Sequence, residues 1–346
     1  MKIEVYSPTI RRKEMDAVLT ALVEDKIGPG EQAGVLVQIA REKLKFDYCI
    51  SLRSPAAALY EALKTLTLND GSGVVISALS PPYYARVLGE LRLTPLYADT
   101  LQGSSFMGRE SIEKALSSKP EGMDVRAIVL HHTLGYVPDA PSIAELGFPL
   151  IEDCSQSFGT MIGDNHAGSA GFLTLLGLEE QDMLTAGSGC LLYASTRRDA
   201  AVLRNIGELP SEYGLPDMNA AMGAVQFREA AKNLEKRREI AQIYTQSALR
   251  TRHKRFIQSD YAPDYNNYAF SLILETGMKD VKAFAKRKEI AVESAFEKTL
   301  MGCGLVPPEL CPEAYSLSLR TVLFPLYPRL TASEAEKVSK LILSLP

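Results

Sequence analysis

Short apolar runs alternate with helix-like stretches through the first two thirds of the chain. Residues 48–52, 74–77, 127–131 and 150–153 are blocks of mostly apolar residues, each followed by turn residues and a 3.6-residue pattern. Runs without polar alternation predict strands buried on both faces, and strands alternating with helices predict a mostly parallel sheet between helical layers. Ser54-Pro55 and Ser80-Pro81 each place a capping hydroxyl before a proline, which predicts two helix starts. From Asp217 to about Arg250 runs a long polar helix carrying Met222, Val225, Leu234, Ile240 and Tyr244 at helical spacings. Beyond it, residues 267–275 read as a strand and 279–290 as a helix. Thr331-Ala332-Ser333-Glu334 opens a last helix to about 345, so the tail reads as a small α+β unit. Ligand sites on such sheets lie at the turns that follow the strands.

Composition narrows the class. At roughly 150 residues per domain, 346 residues suggest two domains. Lys plus Arg against Asp plus Glu is 38 − 42 = −4, which supplies no basic field for a nucleic-acid backbone. Cys49, Cys154, Cys190, Cys303 and Cys311 are odd in number and scattered, as free thiols in a reducing, cytoplasmic setting would be. No stretch approaches 18 uninterrupted apolar residues, so neither a membrane span nor an export signal is expected.

The run Ile151-Glu152-Asp153-Cys154-Ser155-Gln156-Ser157-Phe158-Gly159 resembles the I-E-D-x-x-Q-x-x-G stretch of the DegT/DnrJ/StrS-type sugar-nucleotide aminotransferases, fold type I enzymes dependent on pyridoxal phosphate. Further segments resemble the same family in the same order. Tyr6-Ser7-Pro8-Thr9-Ile10 with Ile27-Gly28-Pro29-Gly30 is similar to its opening, Ala57-Ala58-Leu59 to its phosphate-loop helix, and Pro95-Leu96-Tyr97-Ala98-Asp99 to P-V-F-x-D. Gly168-Ser169-Ala170-Gly171 and Gly187-Ser188-Gly189 resemble the elements that bracket the catalytic loop. Asp217-Met218-Asn219-Ala220-Ala221-Met222-Gly223 resembles D-I-Q-A-A-x-G, and Phe324-Pro325-Leu326-Tyr327-Pro328-Arg329-Leu330-Thr331 resembles L-P-L-H-P-x-L-T.

The resemblance implies a large domain over 1–248, its mostly parallel sheet flanked by helices, and a small C-terminal α+β domain over 249–346. It also implies a homodimer. Such enzymes hold the cofactor as a lysine imine, with a carboxylate beside the ring nitrogen. Asp153 matches that carboxylate and Gln156 the residue beside the ring oxygen; the alternative for Asp153 is a cap on the following turn. The Schiff-base lysine falls on Asp182, and no lysine occurs between Lys119 and Lys232. Pro55 and Ala56 stand for a phosphate-binding glycine-threonine pair, Gly177 for a serine, Glu212 for an asparagine and Gly214 for an arginine. Arg53 and Ser54 are the candidate replacements, and Ala56 can offer only its backbone. Pro81 aligns with the ring-stacking aromatic, leaving Tyr83 or Tyr84 as substitutes or as core. His132 matches a family histidine and reads as structural. The histidines and cysteines show no metal-ligand spacing, and Glu179-Glu180 reads as a solvated loop.

Two functions remain. In the first, the chain lacks ordinary transaminase activity and acts by binding a sugar nucleotide or a partner subunit, an active paralogue included. In the second, it is an aminotransferase or dehydratase of nucleotide-sugar (polysaccharide) biosynthesis that holds pyridoxal or pyridoxamine phosphate without a covalent bond.

Overall fold

A computed structural model describes residues 2–206 and 209–346. The strands in chain order are β1 (Tyr48–Leu52), β2 (Gly73–Ser77), β3 (Thr94–Ala98), β4 (Val125–His131), β5 (Leu150–Asp153), β6 (Met161–Ile162), β7 (Asn165–His166), β8 (Leu173–Gly177), β9 (Cys190–Ala194), β10 (Phe270–Ile273), β11 (Glu293–Ser294) and β12 (Thr321–Phe324). Seven of them form one sheet in the order β1-β9-β8-β5-β4-β2-β3. From β3 to β8 the pairs are parallel, and β9 runs antiparallel to both β8 and β1.

Alternate residues of β2 show why the apolar runs are unbroken. Val74 and Ile76 enter one core with Leu59, Leu63 and Val87, while Val75 enters another with Ile112, Ile128 and Ile143. Both faces are covered, so Val74, Val75 and Ile76 are all apolar, and the one polar residue, Ser77 at the strand end, has its hydroxyl bonded by Leu79 N. The helix Pro55–Lys64 starts as its sequence predicts, with Ser54 Oγ accepting from Ala57 N at 3.2 Å and proline in the first position. At Ser80-Pro81 the expected helix starts later, at Tyr83, with no side-chain cap. Pro81 precedes Pro82, and a residue before proline is driven out of the helical region. Ser80 instead accepts Leu300 N through its carbonyl at 2.9 Å.

The second sheet, β10-β12-β11, is antiparallel. It packs with the helices Met278–Arg287 and Ala332–Leu343 and with Ile240 and Tyr244 of the long helix Asp217–Ala248. The strand expected over 267–275 shortens to Phe270–Ile273: Asn267 has φ +57°, and the Asn266 side chain donates to Gln156 O and Phe158 O. The helix expected to 290 ends at Arg287, ahead of left-handed Glu289. Thr331 and Glu334 form the expected reciprocal cap.

Two contacts fix the small sheet against the large one. Arg237, buried in the long helix, donates to Tyr268 O at 2.9 Å and to Leu326 O at 2.8 Å. Residues 295–306 reach back into the main core: Met301 N donates to Ala78 O at 2.9 Å, and Phe296, Leu300 and Val306 are buried there. Among the described residues no helix is long and apolar enough to cross a membrane, and the five cysteines are free.

Candidate functional site

Strand order reverses between β2 and β4, and ligands of open parallel sheets bind beyond the strand ends at such a point. A cavity of about 260 Å³ lies there. Leu79 and Pro81 follow β2, His131 and Thr133 close β4, Gln156 follows β5, and Asp182 comes from the turn between β8 and β9. The opposite wall is the small-sheet segment from Glu293 to Thr299, with Tyr268 alongside. Lys298 is the one lysine in this lining, exposed and contributed from that wall.

The end of β5 carries two buried acids, each satisfied differently. Glu152 accepts from Ala170 N at 3.0 Å and from Gly171 N, and its other oxygen lies 3.2 Å from His132 Nε2. Asp153 Oδ2 accepts from the Tyr83 hydroxyl at 3.0 Å and the Tyr84 hydroxyl at 2.8 Å. Its Oδ1 accepts from Ser155 N at 3.1 Å and from Ser155 Oγ. Burial first, and the adjacent Asp153 charge second, push both phenols well above their ordinary range, so they stay protonated donors.

Asp182 is turned inward. Its Oδ2 accepts Glu179 N at 2.8 Å and fills the space beside Gly177, where a Cβ would come within 2.4 Å of that oxygen and 2.7 Å of Ser155 Oγ. Gly177 and Asp182 are therefore mutually fitted, since any side chain at 177 would expel the carboxyl. Burial, opposed by the Glu179 amide and aided by the charges of Asp153 and Glu179, raises the Asp182 carboxyl well above the ordinary carboxylate range. His131, its Nδ1 2.9 Å from Thr133 Oγ1, is pushed down by burial to about 4 and stays neutral. The Gln156 side-chain carbonyl accepts Leu134 N at 2.6 Å.

The remaining candidates do not face this cavity. Ala56 lines a separate hollow with Tyr60, Tyr83 and Tyr213. Ser54 is committed to its helix cap. Arg53 is exposed, its backbone N donating to Tyr213 O at 2.8 Å. Tyr83 and Tyr84 thus sit over Asp153, with Asp182 and Gln156 in one hollow and Ala56 in another. Sequence spacing also leaves unannounced a buried group of His132, Glu152 and Cys154, whose ligand atoms lie within 4.8 Å of one another. Tyr268 and Lys298 come to the cavity from more than a hundred residues downstream of β5, and nothing in their local sequence marks them.

The seven-stranded sheet, the carboxylate closing β5 and the small second sheet across the cavity define the architecture of a fold type I pyridoxal-phosphate-dependent transferase. An aminotransferase, TlmJ from Streptoalloteichus hindustanus, superposes with TM-score 0.87 at 18% identity, covering 99% of this chain and 98% of that one. A GDP-4-keto-6-deoxy-D-mannose-3-dehydratase of E. coli with bound hydrated PLP does so at 0.85 and 14%, covering 99% of each. The DegT/DnrJ/EryC1/StrS aminotransferase family model matches residues 8–343, and the chain belongs to this family. GDP-perosamine synthase of Escherichia coli O157:H7 is 24% identical over 260 residues, 70% of each protein.

Pyridoxal phosphate presents a ring N–H that needs an open carboxylate edge and a phosphate that needs several donors. The residues here do not fit it. A carboxylate has about four in-plane acceptor sites, and four donors already meet Asp153. In the first turn of the helix Pro55–Lys64, Pro55 has no N–H, Ala57 N is capped by Ser54 Oγ and Ala58 N bonds Ser54 O. Ala56 N alone is left for an anion, and Gly177 offers no hydroxyl.

Proposed function

We propose that this chain binds a nucleotide-linked sugar in the cavity between the two sheets and does not transfer amino groups. The observation that carries the reading is Asp182: the turn between β8 and β9 presents a half-buried carboxyl fitted against Gly177, and no lysine lies between residues 119 and 232. A carboxyl cannot form an imine. Membership of a sugar-nucleotide family and the GDP-sugar relatives support the ligand class. The hollow, with Gln156, Thr133 and an Asp182 carboxyl that burial pushes toward its neutral form, offers hydrogen-bonding groups to a polyhydroxy ring. In this reading the chain works in the cytoplasm as two units, 1–248 and 249–346. Exposed Met15, Leu19, Leu22, Val23 and Ile27 support pairing with a second copy or with an active paralogue.

A second reading, an aminotransferase or dehydratase with non-covalent pyridoxal or pyridoxamine phosphate, is favoured by the retained Asp153 and Gln156 and by the likeness to the 3-dehydratase. Calorimetric titration with GDP-, UDP- and dTDP-linked keto- and amino-hexoses, run beside an amino-transfer assay with added cofactor, separates them. Saturable binding of at least one nucleotide sugar without amino transfer or dehydration is expected. Turnover of the sugar would reverse the assignment in favour of the enzyme.

A further inference from the structure

We propose that Tyr83 and Tyr84 are a permanent internal replacement for the cofactor at Asp153, so that the chain folds with no pyridoxal or pyridoxamine phosphate. This rests on the family assignment and not on the nucleotide-sugar reading.

Tyr84 is fully buried, Tyr83 half-buried, and their rings meet edge to face at 5.0 Å. Both hydroxyls converge on one carboxylate oxygen, and the helix that bears them, Tyr83–Glu90, is docked by Val87 and Leu88 into the same core as β2. The ring of Tyr84 also packs edge-on against His131, 6.2 Å away, at the end of β4. A buried carboxylate without donors is strongly unfavourable, so a site that awaits a ligand must leave that carboxylate exposed to water or partnered by groups that can swing away. Here all four donors belong to packed or backbone positions. Two are aromatic side chains on a helix, one is a backbone amide, and the fourth is the Ser155 hydroxyl, which also accepts Gly177 N at 2.8 Å. Admitting a ring nitrogen at Oδ2 would require one of the two phenols to give up its bond.

The same substitution of roles repeats at two other points. Ser54 occupies a helix-terminal donor that an anion would use, and the Asp182 carboxyl occupies the volume beside Gly177. Three separate contacts of the absent group are each filled by a side chain of this chain, at Asp153, at the helix start and over Gly177. Asp153 in this arrangement ties the helix Tyr83–Glu90 to β5 and is a structural anchor.

Pyridoxamine phosphate is the cleaner probe, because its amine forms no imine with surface lysines. Equilibrium dialysis and thermal unfolding of the full chain with up to about 1 mM pyridoxamine phosphate test the proposal, with wild type beside Asp153→Asn and Tyr84→Phe. Expected are no stoichiometric uptake and no rise in Tm for wild type, together with a lowered Tm for both variants in cofactor-free buffer. One equivalent taken up by wild type with micromolar affinity, raising Tm and weakened at least tenfold in Asp153→Asn, would overturn it. If Asp153→Asn does not fold, wild-type dialysis alone decides, and Tyr84→Phe reads the anchor. Nucleotide-sugar binding is measured in the same preparation: failure to bind sugar sinks the proposed function alone, whereas cofactor uptake sinks only this inference.

Discussion

Asp153 closes β5 and Asp182 lies in the turn that follows the neighbouring β8, yet their surroundings differ. Asp153 is met by two phenols from one helix and by the hydroxyl and amide of Ser155. Asp182 receives one backbone amide, sits over a glycine that gives way to it, and is pushed toward its neutral form by burial. The first is a carboxylate with a full complement of donors, which ties the helix Tyr83–Glu90 to the end of β5. The second is a carboxyl accommodated at the edge of a cavity, contributing little to the fold and facing whatever enters.

The sharpest way to break this contrast is to remove the first acid. Asp153→Ala leaves two phenols, Ser155 N and Ser155 Oγ without their acceptor, and should lower unfolding stability by about 3 kcal/mol or more. Urea unfolding that shows a loss below 1 kcal/mol would mean that these bonds do not hold the helix Tyr83–Glu90. Next in size, Tyr84→Phe deletes a buried bond to a charged acceptor and should cost about 2 kcal/mol, with Tyr83→Phe nearer 1 kcal/mol because that ring is half-buried. An equal loss for the two would flatten the distinction drawn from their burial.

The smallest effect carries the sign. A carboxyl whose pKa is raised on folding contributes nothing unfavourable below its unfolded value, and destabilises increasingly as pH rises toward the folded value. Asp182→Asn keeps an oxygen for Glu179 N and removes that charging penalty. The variant should match wild type near pH 4 and exceed it by on the order of 1 kcal/mol at pH 7–8. Stability curves in which the variant is weaker at pH 8 would show that the Asp182 charge is used.

Much of this was legible in the chain. β5 falls where its apolar run puts it, because a strand buried on both faces leaves its boundaries in the sequence, and the half-buried edge strand β1 also matches its run. Ser54 and Thr331 cap as read, since capping is local. Asp182 was recognisable by its position between two glycine motifs. The use of Tyr83 and Tyr84 was not: an aromatic pair after two prolines reads equally as ring-stacking or as core, and only the sheet order brings β2's following helix over the end of β5. The opposite wall of the cavity was equally silent, because Tyr268 and Glu293–Thr299 depend on how the second sheet docks.

Arg237 bears on how such a protein could persist through descent. Its guanidinium grips Tyr268 O and Leu326 O from the long helix and so sets the spacing of the two sheets without touching the cavity. Mutations that erode the old reaction centre therefore leave the outline of the binding cleft intact. A lineage could stop being selected for chemistry, generation by generation, and still inherit a cleft of the right shape to be selected for something else.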